Sequence, residues 1–389
     1  MSEWRTCTLG DVLNLRRGYD LPHSEMVEGN IPVAGSNGII GTHNVATSIE
    51  PCITVGRSGS AGSTYFYDRA WAHNTTLYID DFKGNDPKYL YYLLLSLPLK
   101  KMAGGSAVPS LNRNHIHPLN IVFPTTLEAQ HKIASILSSL DDKIAVNKKI
   151  CENLEAQAQA LFKHWFVDFA PFKDGNFCAN REQNETCFNS AEVQPKITGK
   201  ACKFVESDLG LIPEGWKVGK LSELIDVKYG KDHKKLLDGD IPVYGSGGLM
   251  RKVDRSIYEG ESVLIPRKGT LNNVMYVNEA FWTVDTMFYS IPKLPNIVLF
   301  TYILLSKKDL ASMNAGSAVP SMTTDILNNM QIIIPNEDIL EHFNSLVSAL
   351  YVQIKHNEQE SSRLASLLDT LLPKLMSGQI KVNEIEESL

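Results

Sequence analysis

The chain has 389 residues, 43% of them apolar and 21% charged, proportions that exclude a disordered, collagen-like or low-complexity protein and predict two domains or one large one. A formal net charge of −6 and a pI near 6.0 argue at first sight against a nucleic-acid partner. The first residues carry no apolar signal core and no run of ~18 apolar residues could span a bilayer, so a cytoplasmic protein with no membrane segment is expected.

Residues 1–125 alternate short apolar runs (31–33, 52–55, 76–79) with Gly, Pro, Ser and Asn, which predicts short strands and turns. One helix is expected inside this region, over 87–102, because Asp86-Pro87 is a start signal and Tyr89, Leu90, Leu93 and Leu94 recur at helical spacing. From residue 126 to 166 the pattern changes. Ile133, Leu137, Leu140, Ile144, Asn147, Cys151, Leu154, Ala158, Leu161 and Trp165 alternate steps of four and three, the 3.5-residue repeat of a left-handed coiled coil. The stretch 167–212 reads as a linker. Six cysteines are scattered along the chain without a CxxC pair; Cys178, Cys187 and Cys202 share the linker, but at no zinc-ligand spacing. Reduced thiols and no metal site are expected.

From residue 213 the chain repeats itself. Gly105-Ser106-Ala107-Val108-Pro109-Ser110-Leu111 recurs as Gly316-Ser317-Ala318-Val319-Pro320-Ser321-Met322, six identities in seven, displaced by 211 positions. Other pairs keep nearly that displacement and the same order: Trp4 with Trp216, Gly18 with Gly230, Ile31-Pro32-Val33 with Ile241-Pro242-Val243, Arg57 with Arg267, Trp71 and Thr75 with Trp282 and Thr286, Ile121 with Ile332. Residues 213–335 are therefore a second copy of the first region, with runs at 241–244 and 262–265 and a helix expected over 296–313. Residues 336–378 carry a second seam, Phe343, Val347, Leu350, Ile354, Asn357, Ser361, Leu364, Leu368, Leu371 and Leu375, and 379–389 form a short acidic tail. Each seam holds one Asn, Asn147 and Asn357. A polar seam residue lowers stability but fixes register and partner choice, so the two helices are expected to pair with each other. Thirty-three residues at ~1.5 Å each make a rod of roughly 50 Å. The pattern fits parallel and antiparallel pairing alike.

No nucleotide-binding loop, nucleophile elbow, HExxH pair or dinucleotide fingerprint is present. The two copies share Gly, Pro, Ser, Trp and apolar positions rather than His, Cys or acid pairs, which points to a binding scaffold. Two duplicated loops place Arg and hydroxyls among glycines: Arg57, Ser58 and Ser60 in the first copy, Arg267, Lys268 and Thr270 in the second. Such a loop can hold a phosphate on backbone N–H groups and a guanidinium fork; a tight turn with an exposed Arg fits as well. Polar positions that differ between copies are candidates for reading base edges. These are Arg16, Arg17, Tyr19, Asn37, His73, Asn74, Asn112 and Arg113, and in the second copy Lys228, Tyr229, Lys231, Lys234, Lys235, Asn272 and Asn273. The charge also divides unevenly. Segments 1–125, 126–166, 167–212, 213–335 and 336–389 carry net 0, 0, −2, +1 and −5, so the acidity lies outside the repeated regions and does not exclude DNA.

The repeated Ile-Pro-Val…Gly-Ser, the Gly-Ser-Ala-Val-Pro-Ser-Leu run leading to Ile121-Val122-Phe123-Pro124, the long helix after each copy, and Gly210-Leu211-Ile212-Pro213-Glu214-Gly215-Trp216 together resemble the specificity (S) subunit of type I restriction–modification systems. The resemblance implies an α+β chain with two pseudo-symmetric target recognition domains separated by two spacer helices in an antiparallel coiled coil. It also implies a non-catalytic subunit, each domain reading one half of a bipartite double-stranded DNA site. Its implied partners are two modification subunits, which bring S-adenosylmethionine and methylate adenine, and two restriction subunits, which bring ATP and Mg. No cofactor is then expected in this chain. The helices would act as a ruler, since half-sites one helical turn apart, ~34 Å, suit rods of the estimated length. Two rivals are a protein-binding adaptor on the same tandem repeat, without DNA, and an enzyme with an unrecognised site.

Overall fold

A computed structural model describes residues 4–47, 50–104, 110–173, 202–313 and 321–380. The repeated loops at 105–109 and 316–320, Cys178 and Cys187 in the linker, and the end of the tail fall outside the described residues. The chain divides into two units, one of residues 1–149 with 357–389, the other of 150–356. Both mix helix and strand, so the fold is α+β.

In the first unit, strands Asn14–Arg17, Thr76–Asp81, Cys52–Gly56 and Thr64–Tyr67 form one antiparallel sheet in that order, and Gly38–His43, Ile31–Gly35 and Trp71–Ala72 form a second. Strand Trp4–Thr8 pairs with Asn120–Pro124. The second unit pairs Lys217–Lys220 with Gln331–Ile334 in the same way, adds a hairpin of Phe204–Ser207 with Gly210–Pro213, and joins the strands equivalent to the two larger sheets into one six-stranded sheet. Strand Met275–Thr283 runs antiparallel to Tyr258–Pro266 and then parallel to Ile241–Gly245, binding the two halves together. The first copy has a strand break at Asp68–Ala70 in the corresponding place and Pro51 where the second has Glu261. Proline has no N–H to give to a ladder, so pairing there begins only at Cys52.

The helix over Pro87–Ser96 is shorter than its sequence pattern. Asp86 caps it, accepting from Tyr89 N at 2.6 Å. It stops because Pro98 drives Leu97 into extended backbone (φ −81°, ψ 147°), and Leu99–Met102 continues as a separate 3-10 turn. Its counterpart spans Val298–Ser306 and also falls short of 296–313. Both sit on the sheets; Tyr89, Leu90 and Leu93 enter one core, Val298, Phe300 and Ile303 the other.

Two helices of forty residues, Leu127–Phe166 and Glu337–Met376, run through both units. Every residue of the two heptad seams is buried or half-buried. In the first unit, Ile133 and Leu137 share a core with Leu372, Leu375 and Met376, while Asn147 Nδ2 donates to Glu360 at 2.7 Å. Later residues of one helix thus meet earlier residues of the other. In the second unit Cys151 Sγ donates to the Ile354 carbonyl, Tyr351 donates to Glu155 at 2.7 Å, and Trp165 stacks on His342. The pairing is antiparallel within each unit.

Burial, with the neighbouring Tyr302 and the Glu155 carboxylate, pushes the Tyr351 phenol far up, so it stays protonated and donates to Glu155. Tyr351→Phe keeps the ring packing but leaves a half-buried carboxylate short of a donor, and should destabilise the second unit by about 1–3 kcal/mol. Urea unfolding checks this, and an unchanged midpoint would contradict it.

Candidate nucleic-acid interface

In the first unit, the strand Asn14–Arg17 turns Leu15 into the core and leaves Arg16 and Arg17 exposed. Gly18 follows because the chain passes close to the loop opposite: a Cβ there would lie 2.2 Å from the His73 carbonyl oxygen. The Arg16 guanidinium sits 5.6 Å over the ring of Tyr19. After strand Cys52–Gly56, the amides of Arg57 and Ser58 both donate to the Thr75 carbonyl, at 2.8 and 3.2 Å. The Arg57 carbonyl accepts from Leu111 N at 2.7 Å. This lays Ser110 and Leu111 across the loop and starts a short helix, Arg113–Ile116, capped by Asn112. Arg113 Nη1 donates to the Leu15 carbonyl.

These contacts bring Arg16, Arg17, Arg57 and Arg113 around one cleft of about 420 Å³, completed by Leu77, Ser110, Leu111 and Asn112. Among the described residues no carboxylate lines it. Four guanidiniums on a neutral wall form a site for an anion, and phosphate is the anion whose geometry suits the guanidinium fork.

The second unit repeats the frame. Arg267 and Lys268 amides donate to the Thr286 carbonyl at 2.8 and 3.2 Å, and Met322 N donates to the Arg267 carbonyl at 2.8 Å. Gly230 occupies the place of Gly18, where a Cβ would lie 2.0 Å from the Val284 carbonyl oxygen. The side chains differ. Lys228 is paired with Asp226 at 2.6 Å, whose hydrogen bond and charge raise the lysine above its ordinary value. Tyr229 replaces Arg17, with the Arg267 guanidinium 5.3 Å over its ring and its hydroxyl 3.5 Å from Thr324.

The remaining candidates do not gather at these places. Asn74 donates to Asp20 at 2.6 Å, Asn37 accepts from Ser60 at 3.2 Å, and His73 Nδ1 lies 3.0 Å from Thr75 Oγ1. Asn272 bonds both Asp309 and Ala311 N, and Asn273 donates to the Ser246 carbonyl. Asn273 N meets the carbonyl of Thr270, closing that loop. Lys231, Lys234 and Lys235 lie exposed on the turn after Gly230. The sequence reading passed over Thr75 and Thr286 as site-forming residues, although both already marked the repeat register; their contribution is a backbone carbonyl, which no side-chain pattern reveals. Among the described residues no group of three His, Cys, Asp or Glu could hold a metal ion, and no helix is long and apolar enough to cross a membrane.

Comparison with known proteins places this geometry. Residues 1–156 and 213–364 match the type I restriction modification DNA specificity domain. The chain belongs to this family. The specificity subunit of type I restriction enzyme MjaIX from Methanocaldococcus jannaschii is 27% identical over 337 residues, covering 77% of this chain and 70% of that protein. That of HindI from Haemophilus influenzae is 27% identical over 361 residues, covering 76% and 77%. The crystal structure of a type I restriction–modification S subunit from M. genitalium shares the fold, with a TM-score of 0.62 at 19% identity over 96% of each chain. Each of the two matched segments of the specificity family carries one amide-stapled arginine loop.

His117 ties the short helix that begins at Arg113 to the strand carrying Arg16 and Arg17: its Nε2 accepts from Leu15 N at 3.0 Å. Burial, together with the charges of Arg113 and Lys83, holds the imidazole below its ordinary value. The unfolded chain therefore binds more protons between the two values, and stability rises with pH there. The contribution is complete above the ordinary histidine range near ~6.5 and is lost as pH falls through the lowered folded value. Melting curves of the chain against pH should show this loss, and His117→Gln should flatten it.

Proposed function

We propose that this chain is the non-catalytic DNA-recognition and assembly subunit of a type I restriction–modification enzyme. Residues 1–125 and 213–335 are its two recognition domains, each reading one half of a bipartite double-stranded site. Residues 126–166 and 336–378 are the spacer helices, 167–212 the connection and 379–389 the tail. Two modification subunits supply S-adenosylmethionine and methylate adenine; two restriction subunits supply ATP- and Mg-dependent translocation and cleavage. The complex works in the cytoplasm, where its DNA is.

The observation that carries this reading is the cleft of four arginines without a carboxylate, in a chain of the specificity family. Arg57 and Arg267, with Lys268 and the hydroxyls of Ser58, Ser60 and Thr270, hold backbone phosphates; differing positions outside the arginine cleft contact grooves and base edges. Phosphate contacts weaken binding to every sequence alike when removed, and each contributes ~0.9 to the dependence of log affinity on log salt.

Arg57→Ala in the complex assembled with its methyltransferase partner should lower affinity for cognate and unrelated duplexes by similar factors and reduce the salt slope by about one. Fluorescence anisotropy between about 50 and about 200 mM salt makes the measurement. A complex that binds no duplex, or an Arg57→Ala complex with unchanged affinity and slope, would overturn the reading.

A further inference from the structure

The two equivalent places carry different chemistry on one backbone frame. Arg17 and Arg113 of the first copy correspond to Tyr229 and Thr324 of the second, while Asn14, Asn74 and Asn114 correspond to Asp226, Asp285 and Asp325. All five differences remove positive or add negative charge at the second place. Of the cations retained there, Lys228 is paired with Asp226. Arg267 lies over Tyr229 and donates to the Asp285 carbonyl at 3.2 Å. Four differences run the other way: Ser58 to Lys268, Tyr19 to Lys231, and Pro22 and His23 to Lys234 and Lys235. The second copy therefore carries its added lysines on the turn after Gly230 and at Lys268, beside the place equivalent to the cleft rather than within it.

What stands in the cleft's place is an aromatic ring. Tyr229 is 51% exposed and supported from three directions: Phe288 meets it edge to face at 5.0 Å, Arg267 covers it at 5.3 Å, and its hydroxyl reaches Thr324. An exposed aromatic held this rigidly loses little entropy on contact, and its neutral body suits a base edge or sugar rather than a phosphate.

We infer that the equivalent places make unlike contacts: in the first domain the arginine cleft clamps phosphate, and in the second Tyr229, backed by Arg267, is a groove contact that selects sequence. The inference rests on the proposed DNA-recognition function. It makes Tyr229 a specificity residue and the Arg16–Arg17–Arg113 group a sequence-blind anchor.

The test uses the complex assembled with its methyltransferase partner, on a duplex carrying the site identified by mapping adenine methylation in cells and on a scrambled duplex. Tyr229→Ala should lower cognate affinity about tenfold, the loss of one good groove contact, while scrambled-duplex affinity and the salt slope stay as they were. Tyr229→Phe keeps the ring and should retain most of the affinity. Arg17→Ala and Arg113→Ala should instead weaken both duplexes by like factors and each reduce the slope by ~0.9. Melting temperatures of the variants confirm folding, and Tyr229→Phe remains informative if the alanine variant is unstable. Equal losses on both duplexes for Tyr229→Ala, or no loss on either, would overturn the inference and leave the DNA reading standing. If Arg57→Ala also changed nothing, the DNA reading itself would fall.

Discussion

One backbone carbonyl in each copy organises the candidate interface. Thr75 in the first and Thr286 in the second accept two consecutive amides from the glycine–arginine loop. A carbonyl oxygen has two lone pairs, so both bonds can form together, and together they leave the loop no freedom to swing. The next carbonyl along, of Arg57 or Arg267, then receives the amide of Leu111 or Met322. That second bond attaches the segment carrying Asn112 and Arg113, or Thr323 and Thr324. A cleft assembled from three distant parts of the sequence is thus held by main-chain bonds, leaving its side chains free to diverge.

This division explains which parts of the molecule the sequence displayed. The repeat register was visible because the frame needs particular residues: glycines where a Cβ would lie within 3 Å of a carbonyl oxygen, as at Gly18 and Gly230, and apolar residues such as Ile121 and Ile332 in the cores. The seams were visible because packing of two helices imposes a 3.5-residue period. Their direction was not, since the same period serves either orientation; it emerges only from contacts such as Asn147 with Glu360 and Glu155 with Tyr351. The helix end at Leu97 was written in Pro98 but overshadowed by apolar spacing that continues past it. The joining of two sheets in the second unit rests on one continuous strand, Met275–Thr283, where the first copy breaks at Asp68–Ala70, a difference that shows only once strands have found their neighbours.

The individual site residues were the least legible. Asn and Lys at variable positions look alike in a sequence whether they meet solvent, a carbonyl or a ligand. In the structure Asn272 and Asn273 are tied into loop bonds, and Asn74 is tied to Asp20. By contrast, Arg16, Arg17, Arg57 and Arg113, from three separate segments, converge. Convergence is a tertiary property, and only the fold supplies it.

A net charge of −6 would repel DNA if it were spread evenly, yet what a polyanion meets is the potential of the surface it touches. Screening at physiological salt reduces the reach of a charge to ~8 Å, so the acidic residues of the second spacer helix and tail act locally, as the cleft does. Around Arg57 the lining of the cleft is cationic, with three further guanidiniums. The duplication allowed this local field to change in one copy without disturbing the other: the frame bonds are main chain to main chain, so exchanging Arg17 for Tyr and Asn14 for Asp alters the surface and leaves the loop where it was. A fold whose geometry is carried by backbone can thus vary its recognition surface at little cost in stability, and two copies in one chain let two surfaces vary independently.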